Sequence, residues 1–97
     1  MKLRFTPRAV NNIAAIAEYF RERNPTASLR VRTSIYNSLQ HLLLFPSIGK
    51  AQKERGVRKL VTSRYRYLIY YIIDEPAQEI VILSVKHSAQ DRENQDS

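Results

Sequence analysis

The sequence predicts an α+β fold with the element order β-α-α-β-β-β, in which an N-terminal helical hairpin packs on one face of an antiparallel sheet. Two segments begin with a capping residue followed by proline and continue with apolar residues at helical spacing. The second half is instead rich in Tyr, Ile, Val and Leu in short runs between turn residues, as strands are. A length of 97 residues fits one domain, residues 1–97.

The chain starts with a short strand and a first helix. Residues 2–6 alternate polar and apolar side chains, as a half-buried strand does. Thr6 then caps a helix that has Pro7 at its first position. The pattern predicts a helix of roughly 15 residues. Its apolar stripe consists of Val10, Ile13, Ala14, Ala17 and Phe20.

A second helix begins with the same signal, Asn24 followed by Pro25, and ends near Phe45. About three residues join the two helices, so we expect them to pack antiparallel as a hairpin. The residues expected on the apolar face of the second helix are Val31, Ile35, Leu39 and Leu42, with Leu29, Tyr36 and Leu43 beside them.

The second half of the chain is predicted to be a loop followed by three strands. Residues 46–56 hold both glycines and show no apolar periodicity, which indicates a loop. Strands are expected at residues 57–62, 66–73 and 79–86, and their short connections favour an antiparallel meander. The last strand is apolar on both faces, so it should be central. The tail, residues 88–97, is predicted to be disordered or a short exposed helix.

Alternate side chains of the strand at residues 66–73 point to opposite faces of the sheet. We expect several of its tyrosines to lie in the core or at its rim. The face away from the helices should be partly open and carry Arg and Tyr side chains. The two sets are Tyr67, Ile69 and Tyr71 on one face, and Leu68, Tyr70 and Ile72 on the other.

Positive charge is concentrated in one segment. The chain has sixteen Lys and Arg against nine Asp and Glu, a net charge of +7. Seven of the basic residues lie in residues 50–66, where Glu54 is the only acid. Such a cluster indicates an anionic partner, either nucleic acid or an acidic protein surface, although a solvated loop has the same composition. The candidate target- or nucleic-acid-binding residues are Lys50, Lys53, Arg55, Arg58, Lys59, Arg64 and Arg66.

Several functional classes are excluded by what the sequence lacks. The absence of cysteine excludes disulfides, thiolate metal sites and cysteine catalysis. No apolar run approaches ~18 residues and no signal-peptide pattern is present, so we expect a cytoplasmic location without membrane contact. His41 and His87 are the only histidines, and no carboxylate cluster accompanies them. We therefore expect no metal and no small-molecule cofactor.

One basic and aromatic cluster has the residue types for catalysis. An antiparallel sheet could bring its members together on one face at the strand ends. They are Arg58, Lys59, Arg64, Tyr65, Arg66, Tyr67, Tyr70, Tyr71, Lys86 and His87. Arginine binds phosphate, tyrosine stacks on a base and histidine transfers a proton, as RNA cleavage by a ribose 2′-hydroxyl requires. The alternative is structural, because basic and aromatic strands need no catalysis to explain them.

The order of these segments resembles the RelE/ParE superfamily of toxins from bacterial type II toxin–antitoxin systems. The resemblance covers about residues 3–92 and implies the same β-α-α-β-β-β fold. Each segment is weak alone, but together their order and spacing are specific. The segments are Phe5–Ala9, Ile16–Phe20, Asn24–Pro25, Leu43–Lys50, Val57–Val61, Arg64–Tyr71 and Ile82–His87.

The resemblance implies one of two targets. RelE-like members cleave messenger RNA in the ribosome, with basic residues on the sheet and a tyrosine or histidine near the C-terminus. Arg58 matches one basic position of the RelE-like pattern, and His87 could correspond to the catalytic histidine of some ribonuclease members. ParE-like members inhibit DNA gyrase, and the run Arg64–Tyr71 and the histidine ending the last strand resemble them. The RelE-like basic positions without a match fall on Leu60, Tyr67 and Ser88.

The resulting hypothesis is a ParE-like gyrase inhibitor without catalysis of its own, in which no residue is catalytic. The alternative is a RelE-like, ribosome-dependent mRNA endoribonuclease, with Arg58, Arg66 and His87 as phosphate ligands and proton carrier and Tyr67 stacking a base. A third reading is a chain that only binds its antitoxin. Every reading implies a cognate antitoxin as partner, wrapped around the helical hairpin and the rim of the sheet.

Overall fold

In the computed structural model, which describes residues 1–88, a short strand precedes two helices, and four further strands follow. This order confirms the α+β class and the N-terminal helical hairpin. The predicted tail, residues 88–97, lies outside the described residues except for Ser88. The elements are β1 (Lys2–Phe5), α1 (Pro7–Arg23), α2 (Pro25–Leu44), β2 (Lys50–Ala51), β3 (Arg58–Val61), β4 (Tyr67–Asp74) and β5 (Glu79–His87).

Both helices begin at the capping residues that the sequence predicts. The Oγ1 of Thr6 accepts a hydrogen bond from the backbone N–H of Ala9 at 3.1 Å. The Oδ1 of Asn24 accepts one from the N–H of Ala27 at 3.1 Å, and the backbone N–H of Asn24 donates to the carbonyl of Phe20. Asn24 therefore ends α1 and starts α2, so the hairpin link is one residue rather than the three expected.

The sheet is mixed, which corrects the prediction of an antiparallel sheet. Its strand order is β1-β5-β4-β3-β2. Strands β3, β4 and β5 form the predicted antiparallel meander, and β5 lies inside the sheet as expected. Strand β1, however, runs parallel to β5, with Leu3 beside Ile80 and Phe5 beside Ile82. Residue alternation reveals a strand but not its direction, because the partner strand is far along the chain.

The outer edge of β5 is completed by side chains. Strand β1 pairs with Glu79–Ile82 alone, so within residues 1–88 the second half of β5 has no strand beyond it. There the Oγ1 of Thr6 donates to the carbonyl of Leu83 at 2.8 Å. The Oδ1 of Asn12, on α1, accepts from the N–H of Val85 at 3.0 Å. These bonds satisfy backbone groups that would otherwise be left open.

The segment predicted as a loop, residues 46–56, contains a fifth strand. Lys50 pairs with Lys59 and Ala51 pairs with Arg58 in antiparallel register. Two residues are too few to show a period of two in the sequence, so only the pairing with β3 reveals this strand.

The core lies between the helical hairpin and one face of the sheet. The predicted apolar face of α2 is confirmed, since all four of its residues are at most 7% exposed. On α1 the predicted stripe holds for Ile13 and Phe20, which pack against the core, but at its start the fully buried residue is Ala9, and Val10 is 53% exposed. The core residues from these elements are Ala9, Val31, Ile35, Leu39, Leu42, Tyr67, Ile69, Tyr71, Ile80, Ile82 and Val85.

Candidate functional site

The loop between α2 and β2, residues 45–49, is fixed by the hydroxyl of one buried tyrosine. Tyr71 on β4 is fully buried, and its hydroxyl donates to the carbonyl of Pro46 at 2.7 Å. The same oxygen accepts from the N–H of Gly49 at 2.8 Å. A Cβ at position 49 would lie 2.6 Å from the Tyr71 Oη and 2.7 Å from its Cε1. Only glycine therefore allows this contact between loop and strand.

Arg58, a candidate phosphate ligand, holds the same loop. It lies opposite Tyr71 in the β3–β4 pair, on the side of the sheet that faces the hairpin. Its Nη1 donates to the carbonyl of Gly49 at 2.8 Å and to that of Ser47 at 3.2 Å. Burial raises the pKa of Tyr71, and the hydrogen bond from Gly49 and the charge of Arg58 partly offset that rise.

The face of the sheet away from the helices carries a row of lysines around a tyrosine. Lys50 on β2 lies opposite Lys59 on β3, and Lys59 lies opposite Tyr70 on β4. The Nζ of Lys86, on β5, is 5.5 Å from the centre of the Tyr70 ring. Like charges directly opposite each other destabilise a sheet, so an anionic partner would stabilise this row. On β2, β3 and β5 the basic residues of this face are lysines rather than the expected arginines, whereas β1 adds Arg4, which forms an ion pair with Glu79 at 3.2 Å. We refer to Lys50, Lys59, Lys86 and Tyr70 as the open-face row.

Tyr67 and His87 are brought together, but on the side that faces the hairpin. They lie opposite each other in the β4–β5 pair, and their rings meet edge to face with centroids 5.4 Å apart. With Asn12, Ile16 and Tyr19 they line a cleft of about 510 Å³ beside α1. Burial, together with Tyr19, raises the pKa of Tyr67. At 4% exposure, the Tyr67 ring has little surface left to stack on a base.

The turn between β3 and β4 carries Arg64 and Arg66 at the surface, on a strained backbone. Tyr65 and Arg66 have φ angles of 65° and 49°, a left-handed conformation that side chains disfavour. The carbonyl of Arg64 accepts hydrogen bonds from the Oγ1 of Thr62 at 2.6 Å and from the Oγ of Ser34, on α2, at 3.3 Å. These bonds tie the turn to the hairpin and fix the position of the two exposed arginines.

The structure divides the candidate residues among separate surfaces. Arg58 lies opposite Tyr71 and His87 lies opposite Tyr67, four residues apart along β4. That separation is roughly 13 Å at the rise of a strand. Arg58 therefore lies apart from the other three residues of the ribonuclease hypothesis. Arg66 directly precedes Tyr67, and its carbonyl accepts from the N–H of Ser88, next to His87, at 3.2 Å. Of the remaining basic candidates, Lys50 and Lys59 lie on the open face, Lys53 and Arg55 between β2 and β3, and Arg64 between β3 and β4.

Two members of the open-face row, Lys86 and Tyr70, belong to the basic and aromatic cluster that the sequence predicts, but not to its binding or catalytic candidates. The alternation along β4 does place Tyr70 on the face opposite Tyr67 and Tyr71. The position of Lys86 beside Tyr70, however, depends on the register between β4 and β5, which no local pattern encodes.

A second surface is an apolar groove along the hairpin. Leu29 and Tyr36, both on α2, are 64% and 60% exposed. Being seven positions apart, they lie on the same face of the helix. They border a groove that also includes Ile13 of α1 and Phe5 of the edge strand β1. Arg32 is the charged residue in its lining.

Residues 1–88 contain neither a cluster of metal ligands nor a membrane-spanning helix. No three His, Asp or Glu side chains of that part of the chain are close enough together to hold a metal ion. Neither α1 nor α2 is long and apolar enough to cross a membrane.

Comparison with known proteins places this arrangement among bacterial toxins. Residues 3–92 match the family described as the ParE toxin of the type II toxin–antitoxin system parDE. A protein of Sinorhizobium fredii named "Putative toxin Y4kP" is 29% identical over 89 residues, which is 92% of this chain and 90% of that protein.

Two solved structures share the fold. The chromosomal ParDE system from P. aeruginosa has a TM-score of 0.76 and 22% identity, covering 90% of this chain and 95% of that chain. The intact E. coli RelBE toxin–antitoxin complex has a TM-score of 0.63 and 20% identity, again covering 90% of this chain and 95% of that chain.

Proposed function

This chain belongs to the ParE toxin family of type II toxin–antitoxin systems, and we propose that it inhibits DNA gyrase and is neutralised by a cognate antitoxin. In this proposal the toxin acts by binding, without catalysis of its own. Its basic segment contacts an acidic protein surface or the DNA bound to gyrase, where charge sets the rate and orientation of encounter.

The observation that carries this proposal is the separation of Arg58, a candidate phosphate ligand, from His87, the candidate proton carrier. Arg58 donates to two loop carbonyls, and Tyr67 is 4% exposed. General acid–base catalysis on RNA requires the proton carrier and the phosphate ligands around one reacting atom. Arg58 and His87 lie roughly 13 Å apart along the sheet, so they do not meet this requirement. The match of residues 3–92 to the ParE toxin family supports the same choice.

The apolar groove of the hairpin supports an antitoxin as the second partner. Leu29, Tyr36 and Phe5 are the kinds of side chain that an amphipathic helix covers when it binds in a groove. The groove ends at β1, which is the edge strand of the sheet that the described residues form, and such an edge can pair with an added strand. An antitoxin segment that folds on binding would use both features.

Inhibition of purified gyrase tests the proposed function. We expect micromolar toxin to block supercoiling of relaxed plasmid and an equimolar antitoxin to restore it. A double variant, Lys53→Glu with Arg55→Glu, should inhibit less, because it reverses the charge of the β2–β3 turn. Arg8→Glu with Arg30→Glu, which reverses two exposed charges on the helices, is the matched charge control. Gyrase that remains fully active at micromolar wild-type toxin contradicts the proposal.

The alternative is a RelE-like, ribosome-dependent mRNA endoribonuclease. The observation that favours it is the open-face row, where Lys50, Lys59 and Lys86 could bind phosphates beside Tyr70. Primer extension on cellular transcripts after brief induction separates the two functions. New 5′ ends that vanish in a Lys59→Ala variant would support the alternative, and unchanged transcripts would reject it.

A further inference from the structure

Three large apolar side chains project from the C-terminal end of α2 and the loop that follows it. Leu44, Phe45 and Ile48 are 71%, 59% and 48% exposed. We refer to these three residues as the apolar knob. Exposed apolar side chains that lie together on a small protein mark an interaction surface more often than isolated ones do.

The apolar knob rests on a rigid base. The hydroxyl of Tyr71 holds both Pro46 and Gly49, and Arg58 holds the carbonyls of Ser47 and Gly49. The N–H of Ile48 also donates to the carbonyl of Phe45 at 3.0 Å. A surface held in one conformation before binding loses little entropy when a partner packs against it. Five hydrogen bonds hold the five-residue loop, so it can present its apolar side chains in a fixed arrangement to a pocket of complementary shape.

The apolar knob is separate from the groove of the hairpin. Leu44 lies about 80° around α2 from Tyr36, because eight residues at 3.6 per turn overshoot two full turns by that angle. Along the helix axis it lies roughly 22 Å from Leu29. The groove beside Leu29 and Tyr36 does not include any of the three knob residues. Two partners could therefore use these surfaces independently.

Positive charge borders the apolar knob on its C-terminal side. Lys50 follows the loop directly, and Lys53 and Arg55 follow β2, all three with exposed side chains. Glu54 is the only acid between Lys50 and Arg58. A partner that covers this region must therefore offer apolar contact next to negative charge. A folded protein with a pocket bordered by carboxylates offers both, whereas a phosphate backbone offers charge without an apolar pocket.

We infer that the apolar knob is the element that enters an apolar pocket with an acidic rim on the target protein, while the hairpin groove takes the antitoxin. The inference rests on the proposed function, in which the target protein is gyrase. It assigns the two partners to different surfaces of the same small chain. Substitutions on the two surfaces should therefore separate toxicity from neutralisation.

A pair of matched variants tests this assignment. Leu44→Ser with Phe45→Ser changes the knob, and Leu29→Ser with Tyr36→Ser changes the groove by a comparable loss of exposed apolar surface. We expect the knob variant to need at least tenfold more protein to inhibit supercoiling, with unchanged antitoxin affinity. The groove variant should show the reverse. Thermal melting of both proteins checks that each is folded.

Each outcome bears on one proposal. If wild-type toxin inhibits gyrase and the knob variant inhibits it equally well, the inference is wrong and the proposed function stands. If wild-type toxin leaves gyrase unaffected, the proposed function fails, and growth arrest on induction then decides the inference. A knob variant that still arrests growth at equal protein level overturns it. A knob variant that loses antitoxin binding also overturns the inference, because the antitoxin is assigned to the groove. The same holds if the only binding that the knob variant loses is to a duplex DNA oligonucleotide, because the knob is assigned to a protein pocket.

Discussion

Replacing Tyr71 with phenylalanine removes one oxygen atom and, with it, two hydrogen bonds of the α2–β2 loop. The ring stays in place, so no cavity forms and the effect is that of the hydroxyl. The hydroxyl donates to Pro46 and accepts from Gly49, at 2.7 Å and 2.8 Å. A net loss near 1 kcal/mol per bond, plus the penalty for a buried N–H left without an acceptor, gives about 2 to 4 kcal/mol. For a chain of this size, that lowers the melting temperature by roughly 10 to 20 °C.

Urea unfolding followed by circular dichroism measures this loss, and Tyr67→Phe is the matched control. Tyr67 is equally part of the core, but its hydroxyl makes no hydrogen bond within residues 1–88 and lies at the cleft beside α1. Its removal should change the free energy of unfolding by less than about 0.5 kcal/mol. If Tyr71→Phe lost no more stability than Tyr67→Phe, the loop would not depend on the hydroxyl.

Three further predictions follow from the same region and its surroundings. Gly49→Ala should destabilise the protein by about 1 to 3 kcal/mol, because its Cβ would lie 2.7 Å from Cε1 of the Tyr71 ring. A double-mutant cycle with Tyr71→Phe should show non-additive losses of stability, and additive losses would contradict the contact. Arg66→Gly and Gln78→Gly both relieve a positive φ, at 49° and 55°, and should each stay within about 1 kcal/mol of wild-type stability. Only Arg66→Gly should weaken gyrase inhibition. If the two variants inhibit gyrase equally well, Arg66 does not contribute to target binding. Because burial raises the pKa of Tyr67 above its ordinary value of 10.0, its contribution to stability is complete below that pH and is lost as pH rises through the folded-state pKa. The free energy of unfolding, measured from pH 9 to 11.5, should therefore fall less steeply in Tyr67→Phe than in the wild type. Parallel curves for the two proteins would show that the titration of Tyr67 does not affect stability.

The helix starts were predictable because their determinants are local. Thr6 and Asn24 accept hydrogen bonds from N–H groups three residues ahead, and each is followed by proline. The chemistry of both starts lies within four consecutive residues and can be read without knowing the fold. The alternation along β4 was predictable for the same reason, and Tyr71 lies in the core as that alternation indicates.

The features that escaped prediction all depend on contacts with another segment of the chain. Strand β2 exists because Lys50 pairs with Lys59, and the direction of β1 is set by its pairing with β5. The role of Arg58 could not be read from the sequence, because its acceptors are backbone carbonyls of a loop, and carbonyls have no residue-type signature. Net charge and residue type indicated a basic site, but the fold decides which of its members share a surface.

The parallel pairing of β1 with β5 also constrains when this toxin can fold. The hydroxyl of Thr6 donates a hydrogen bond to the carbonyl of Leu83, 77 positions later, and among the strands of residues 1–88 only β5 pairs with β1. A chain still being synthesised therefore has no partner for its first strand and no sheet to cover the apolar face of its hairpin. Contacts of such long sequence separation also slow folding once synthesis ends. We expect the unfinished chain to be inactive, so that growth arrest begins only after the last strand has left the ribosome.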